Sequence, residues 1–297
     1  MVYLLLSILF SVILLINFRV FPKYGISTLQ AIAFNYPVCF ITGLVLMPEG
    51  QSFSLNLAEN WTWFCLALGL GFIITFILSG LSTQKAGMTA TSLANNLSLV
   101  IPVAASLFLY NTQAKEFDLW NYLGLVLALV AVGLSTYKKS DGSKSDKSGW
   151  YLPLAVFLMY GITNSAINYL NLKFIPNPEL TVPVTLVMVL GAVVSGLLLL
   201  TYRLIRGTEK LEFKNVLAGF TLGVPNFLSF YLLILALTAF GNSGAFVYPI
   251  FNMGVIIVSA IVGLSFFKER LSNINKWGLA LGLIAILLIS YQELSVF

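Results

Sequence analysis

Residues 61–82 read WTWFCLALGLGFIITFILSGLS, 22 positions without one charged side chain. A helix needs about 20 such residues to cross roughly 30 Å of hydrocarbon, so this run is long enough to span a bilayer. Residues 215–236, NVLAGFTLGVPNFLSFYLLILA, are a second uncharged run 154 positions further on. Leu68-Gly69 falls on Leu222-Gly223, Phe76 on Phe230 and Leu81 on Leu235. The same shift carries Gly87 to Gly241, Ser98 to Asn252, Gly124 to Gly278 and Tyr137 to Tyr291. Nearer the start the shift drifts, with Gly43-Leu44 matching Gly196-Leu197 at 153 and Tyr3-Leu4 matching Tyr151-Leu152 at 148. A near-constant offset over several spans points to an internal duplication, of the kind found in secondary transporters.

The rest of the chain has the same character. Hydrophobic residues make up 59% of its 297 positions, charged residues 9%, and the mean hydropathy is +0.93. Soluble domains average about 45–50% and about 25% for the first two quantities. Ten apolar runs are expected as spans, at 2–18, 29–47, 61–82, 88–110, 120–137, 150–170, 180–204, 215–237, 244–267 and 277–292. The first has no basic flank before it and no small-residue cleavage site after Asn17-Phe18-Arg19, so it reads as a span rather than a signal peptide. The runs are continuous rather than alternating, which excludes a membrane β-barrel. The expected fold is an all-α integral membrane protein of ten transmembrane helices. Its units are a five-helix repeat at 1–137, a polar linker at 138–149 and a second five-helix repeat at 150–297. An odd number of spans per repeat makes the two insert upside down relative to each other.

Lysine and arginine set the orientation. Fourteen lie in the odd-numbered connections and only Lys115 and Lys173 in the even ones. The positive-inside rule then places the odd connections, with the 138–149 linker, in the cytoplasm and both termini outside. The net charge of +5 is explained by this topology, with no need of nucleic acid. Cys39 and Cys65 lie inside apolar runs, without metal-ligand or disulfide spacing.

All eleven acids lie in connections or at span ends, and the chain has no His. That removes the raw material for an aspartyl or zinc protease, a magnesium-diphosphate transferase and a carboxylate-based proton antiporter. No cofactor, metal or enzymatic activity is expected. Uncharged polarity remains, arranged in stripes. Span four carries Thr91, Asn95, Ser98 and Pro102 on one face, with Asn96 beside it. Span six carries Tyr160, Asn164 and Asn168, span eight Asn226 and Ser229, and span nine Tyr248, Asn252 and Ser259. Spans five and ten have no polar residue near their middles and are expected to face lipid. Any one Asn could serve as interhelical glue. As a set, Asn95, Asn96, Ser98, Tyr160, Asn164, Asn168, Asn226, Tyr248 and Asn252 suggest a cavity that binds a neutral or zwitterionic solute. The glycine pairs 219/223 and 278/282 read as close helix packing, and the five Trp residues, each opening a span, as interfacial anchors.

The layout resembles the drug/metabolite transporter superfamily, in particular its ten-span EamA-like members. In that pattern a Pro in the fourth span of each repeat precedes a Lys-Glu-Arg-like turn and a helix opening near a Gly. The first copy here runs from Pro102 to Lys115-Glu116, then Trp120 and Gly124. The second reads Phe267-Lys268-Glu269-Arg270-Leu271-Ser272, then Trp277-Gly278, but has Ile256 at the expected proline and Pro249 two turns earlier. The resemblance implies export of small metabolites, often amino acids, through a cavity between spans one to four and six to nine. It also implies cytoplasmic termini, against the lysine count, which is retained here. The expected partners are a small-molecule solute and the lipid bilayer, for a monomer or weak homodimer. A non-transporting scaffold or receptor is the alternative, and an intramembrane enzyme a more distant one.

Overall fold

A computed structural model describes residues 1–108, 117–137, 149–174 and 181–294. The linker assigned to 138–149, Gly149 excepted, lies outside the described residues, as do Lys115 and Glu116. The described chain is helical, without strands. In order it forms α1 (Val2–Val20), a 3-10 turn (Phe21–Tyr24), α2 (Thr28–Val45), α3 (Asn60–Lys85), α4 (Met88–Leu97) and α5 (Val100–Phe108). Then follow α6 (Leu119–Thr136), α7 (Leu152–Phe174), α8 (Thr181–Ile205), α9 (Phe213–Ala239), α10 (Gly244–Ser265) and α11 (Asn273–Leu294). Among the described residues nine segments are long and apolar enough to cross a membrane, with α4 and α5 counted as one. The tenth long helix, α7, has 23 residues, and Thr163, Asn164, Ser165 and Asn168 dilute its hydropathy. This is a multi-pass all-α membrane protein.

The fourth span differs from the expected single helix. Pro102 has no N–H to give to Ser98, and the Ser98 carbonyl instead accepts from Ile101 at 3.0 Å, three residues on. The Ser98 hydroxyl turns back onto the Asn95 carbonyl at 2.5 Å. The helix therefore breaks at Ser98-Leu99, halfway across.

Close packing follows the glycines. A Cβ on Gly191 of α8 would sit 2.3 Å from the Leu66 carbonyl oxygen, and one on Gly69 of α3 would sit 2.1 Å from the Ala192 nitrogen. Gly219 and Gly223 bring α9 equally close to Phe34, Asn35 and Val38 of α2. Around these contacts Phe18, Tyr36, Ile73, Leu186, Leu222 and Phe227 form part of one buried cluster. A second cluster joins Leu93 and Leu97 of α4 to α6, α7 and α11.

The α6–α11 pair is reciprocal. Asn121 of α6 donates to the carbonyls of Leu288 and Ile289, at 3.1 and 2.9 Å. At the opposite face Asn275 of α11 donates to those of Leu134, Ser135 and Tyr137, at 3.0, 3.1 and 3.0 Å. Each amide oxygen also accepts the N–H of its capping residue, Asp118 or Ser272, at 3.1 Å. Gly124 abuts Ala285 and Ile289, and Gly278 abuts Ala131 and Ser135. Apart from Tyr137, whose carbonyl has no counterpart among the Asn121 acceptors, every residue in one set is 154 positions from its counterpart in the other. The sets diverge at the cap. Asp118 also accepts from the Tyr291 hydroxyl, which with the Asn121 and Trp120 N–H groups holds its carboxyl below the ordinary 3.8.

Alanine at Asn275 leaves three carbonyls short of a donor and lowers stability by about 1–3 kcal/mol, read as a lower melting temperature in detergent. Asn275→Asp does not rescue it, because a carboxylate has no N–H to give.

Candidate functional site

One face of the molecule carries Met1 and the end of α11. The other carries Arg19, Lys23, Lys85, Arg203, Arg206, Lys268 and Arg270, and is here termed the lysine-rich face. A cavity of about 730 Å³ opens on the terminus side. Its rim includes Phe117, Gly244, Ile289 and Ser290, all at helix ends on that face. Its floor is near Tyr160, eight residues into α7 from the lysine-rich end, or roughly 12 Å at 1.5 Å per residue. The cavity thus reaches about halfway across.

Eight of the nine residues singled out in the sequence line this space. They are Asn95, Asn96 and Ser98 at the α4–α5 break, Tyr160, Asn164 and Asn168 on α7, and Tyr248 and Asn252 on α10. Pro102 and Pro249 also line it, while Thr91 and Ser259 of the stripes do not. The broken helix is thereby placed where irregular backbone borders a space rather than lipid. Among the described residues, none that lines it carries a charge.

Asn226 is the exception. Its Nδ2 donates to Asn35 Oδ1 at 3.3 Å, in the tight α2–α9 interface, so it packs helices and does not reach the cavity. Another expectation also needs correction. The tenth span is not wholly peripheral, since Ile289 and Ser290 of α11 form part of the wall. The last turns of α11 are tied at that face by Asn121 in the first turn of α6. The apolar lining of Leu99, Val103, Ile167, Leu233 and Phe251 was not singled out either. In a chain this apolar nothing distinguishes such residues from those facing lipid.

Hydrogen bonding divides the asparagines. Asn17, Asn121, Asn215, Asn226 and Asn275 bond across helices or connections, and Asn96 bonds back to Ser92 within its own helix. The side chains of Asn95, Asn164 and Asn252 make no hydrogen bond among the described residues and border the cavity. Tyr160 is anchored by the Ser79 hydroxyl, which donates to its oxygen at 3.3 Å. Three half-buried amides, from both halves of the chain, thus offer donors and acceptors to one space. Among the described residues no group of His, Cys, Asp or Glu could hold a metal ion.

No family model matches this sequence. The chain is 28% identical over 296 residues to an uncharacterized protein of Haemophilus influenzae, covering 98% of each chain. It also resembles, at 14% identity, a protein of known crystal structure, with a TM-score of 0.55 over 96% of this chain and 98% of the other. That similarity concerns the fold alone.

Proposed function

We propose that the protein is a secondary transporter that carries a small polar or zwitterionic, amino-acid-like metabolite by alternating access, in the direction of export. The observation that carries this reading is the set of unengaged amides of Asn95, Asn164 and Asn252 around a space of about 730 Å³. Small-molecule sites occupy about 300–1,000 Å³. An amide in hydrocarbon with no partner is costly, whereas one that meets a polar solute is not. A scaffold has no need of such groups.

The mechanism follows from two inverted five-helix repeats, α1–α6 and α7–α11. The reciprocal α6–α11 contacts support this duplication. So do the paired packings of α2 on α9 with α8 on α3, and of α1 on α10 with α7 on α4. Inverted repeats have two pseudo-equivalent packings around one central site, one open to each face. The similarity to EamA-like members of the drug/metabolite transporter superfamily agrees with this architecture.

A thermal-shift screen against amino acids, sugars and nucleosides finds the solute class, and uptake into liposomes then tests transport. With no charged group among the described lining residues, uptake runs down a solute gradient alone and a pH gradient changes initial rates little. A pH gradient that drives uphill accumulation overturns that expectation.

In the proposed topology the lysine-rich face is cytoplasmic and both termini are outside. An impermeant thiol reagent on intact cells then labels cysteine at Asn242 and spares cysteine at Thr208, in a Cys39→Ser/Cys65→Ser background. The reverse pattern inverts the orientation and leaves the repeat untouched.

A further inference from the structure

The cavity is closed toward the lysine-rich face, and one carboxylate is central to that closure. Glu269 stands in the α10–α11 connection, next to Lys268, whose φ of 51° is left-handed. The turn is held by the Glu269 N–H, which donates to the Gly263 carbonyl at 2.9 Å. The carboxylate accepts the N–H of Met88 at 2.6 Å, the N–H of Thr89 at 3.2 Å and the Thr89 hydroxyl at 2.8 Å. These donors are the first turn of α4, where a negative charge is favoured by the helix dipole. The fit leaves no slack. A Cβ on Gly87 would lie 2.8 Å from one carboxylate oxygen, and one on Gly263 would lie 2.7 Å from the other. α4 carries Asn95 and Asn96 to the cavity, and α10 carries Tyr248 and Asn252. Glu269 therefore ties two cavity walls together at their lysine-rich ends.

An independent observation concerns polar groups in the same half. Within the described helices, the buried side-chain atoms without a hydrogen-bond partner are Asn35 Nδ2, Tyr36 Oη, Thr83 Oγ1 and Ser259 Oγ. All four residues are at most 2% exposed. Asn35 and Tyr36 lie at the middle of α2, while Ser259 and Thr83 lie nearer the lysine-rich ends of α10 and α3. None of the four lines the cavity, and none lies between its floor and the terminus face. A buried unpaired polar group is costly and calls for a reason. A hydroxyl that meets water or solute in a second state has one.

We infer that Glu269 is a positioning residue for transport: its carboxylate latches α4 to the α10–α11 turn while the cavity faces the terminus side, and its release opens a path past Tyr36, Ser259 and Thr83 to the lysine-rich face. The inference rests on the alternating-access reading above.

The test uses the full chain in liposomes, in the Cys39→Ser/Cys65→Ser background, with one cysteine at Ser259 or at Leu233 of the cavity wall. An impermeant maleimide is applied to either face. Glu269→Ala raises labelling at 259 from the lysine-rich face about tenfold and lowers labelling at 233 from the terminus face. Glu269→Asp restores part of the original pattern, which a merely structural role would not predict for both positions together. Should Glu269→Ala fail to fold, Thr89→Val, which removes one of the three donors, gives a smaller change in the same directions. If position 259 is already labelled from the lysine-rich face in the parent protein and neither variant alters the rate, the latch is overturned and transport stands. No labelling from that face in any variant overturns the alternating-access reading, and the latch with it.

Discussion

Alanine at Asn95, Asn164 or Asn252 lowers affinity for the best-binding solute of a thermal-shift screen by roughly 5- to 150-fold. The range corresponds to about 1–3 kcal/mol for leaving a polar solute group unpaired. Melting temperature in the absence of solute changes little, because none of the three amides has a hydrogen bond among the described residues to lose. Asn226→Ala behaves in reverse. It removes the partner of Asn35 in the α2–α9 interface, so it lowers stability and leaves affinity intact. Interhelical bonds of this kind average about 0.6 kcal/mol in membranes, and here the Asn35 amide, already without a partner for its Nδ2, would lose its remaining one. Isothermal titration and thermal melts on the four variants separate the two roles. If the three cavity variants melt early and bind normally, the cavity does not bind solute.

The second large effect is on folding. Gly191→Ala places a methyl group 2.3 Å from the Leu66 carbonyl oxygen and 2.7 Å from its Cα, both backbone atoms that no rotamer change can clear. The α3–α8 pair must move apart along its length, and overpacking of this kind costs about 1–3 kcal/mol, occasionally more. Gly69→Ala, facing the Ala192 nitrogen at 2.1 Å, has the same consequence. Gly133→Ala on α6, with nothing within 4 Å of its Cβ, leaves the melting temperature unchanged or raises it slightly. A monodisperse, normally melting Gly191→Ala protein would show that the two helices have more room than their contacts indicate.

Several features were legible in the residues themselves. The spans are local facts, because about 20 uncharged residues in a row leave the chain no other low-energy place than a bilayer. The glycine pair 219/223 reads as close packing from spacing alone, and α9 does meet the backbone of α2 there. Pro102 announces a disturbed helix, though it does not say that the disturbance completes a break at Ser98-Leu99. The polar stripes are also local, since 3.6 residues per turn decide which side chains share a face.

What a stripe cannot tell is what its face meets. Asn226 and Asn252 are equally good members of polar stripes on neighbouring helices. One is bonded to Asn35 across a glycine-lined contact, and the other borders the cavity. Ser290, in a span with no polar residue near its middle, sits at the opening because α11 is tied to α6 at that end. Glu269 and Met88 are 181 positions apart, and only the packing of α4 on α10 brings that carboxylate to that N–H. From its sequence alone this chain is committed to a multi-pass helical protein without charge near the middle of its spans, because hydrophobic length and charge are summed along the chain. Which of its asparagines hold helices together and which face open space was decided by tertiary structure, because a hydrogen-bond partner or a gap is supplied by residues far away in sequence.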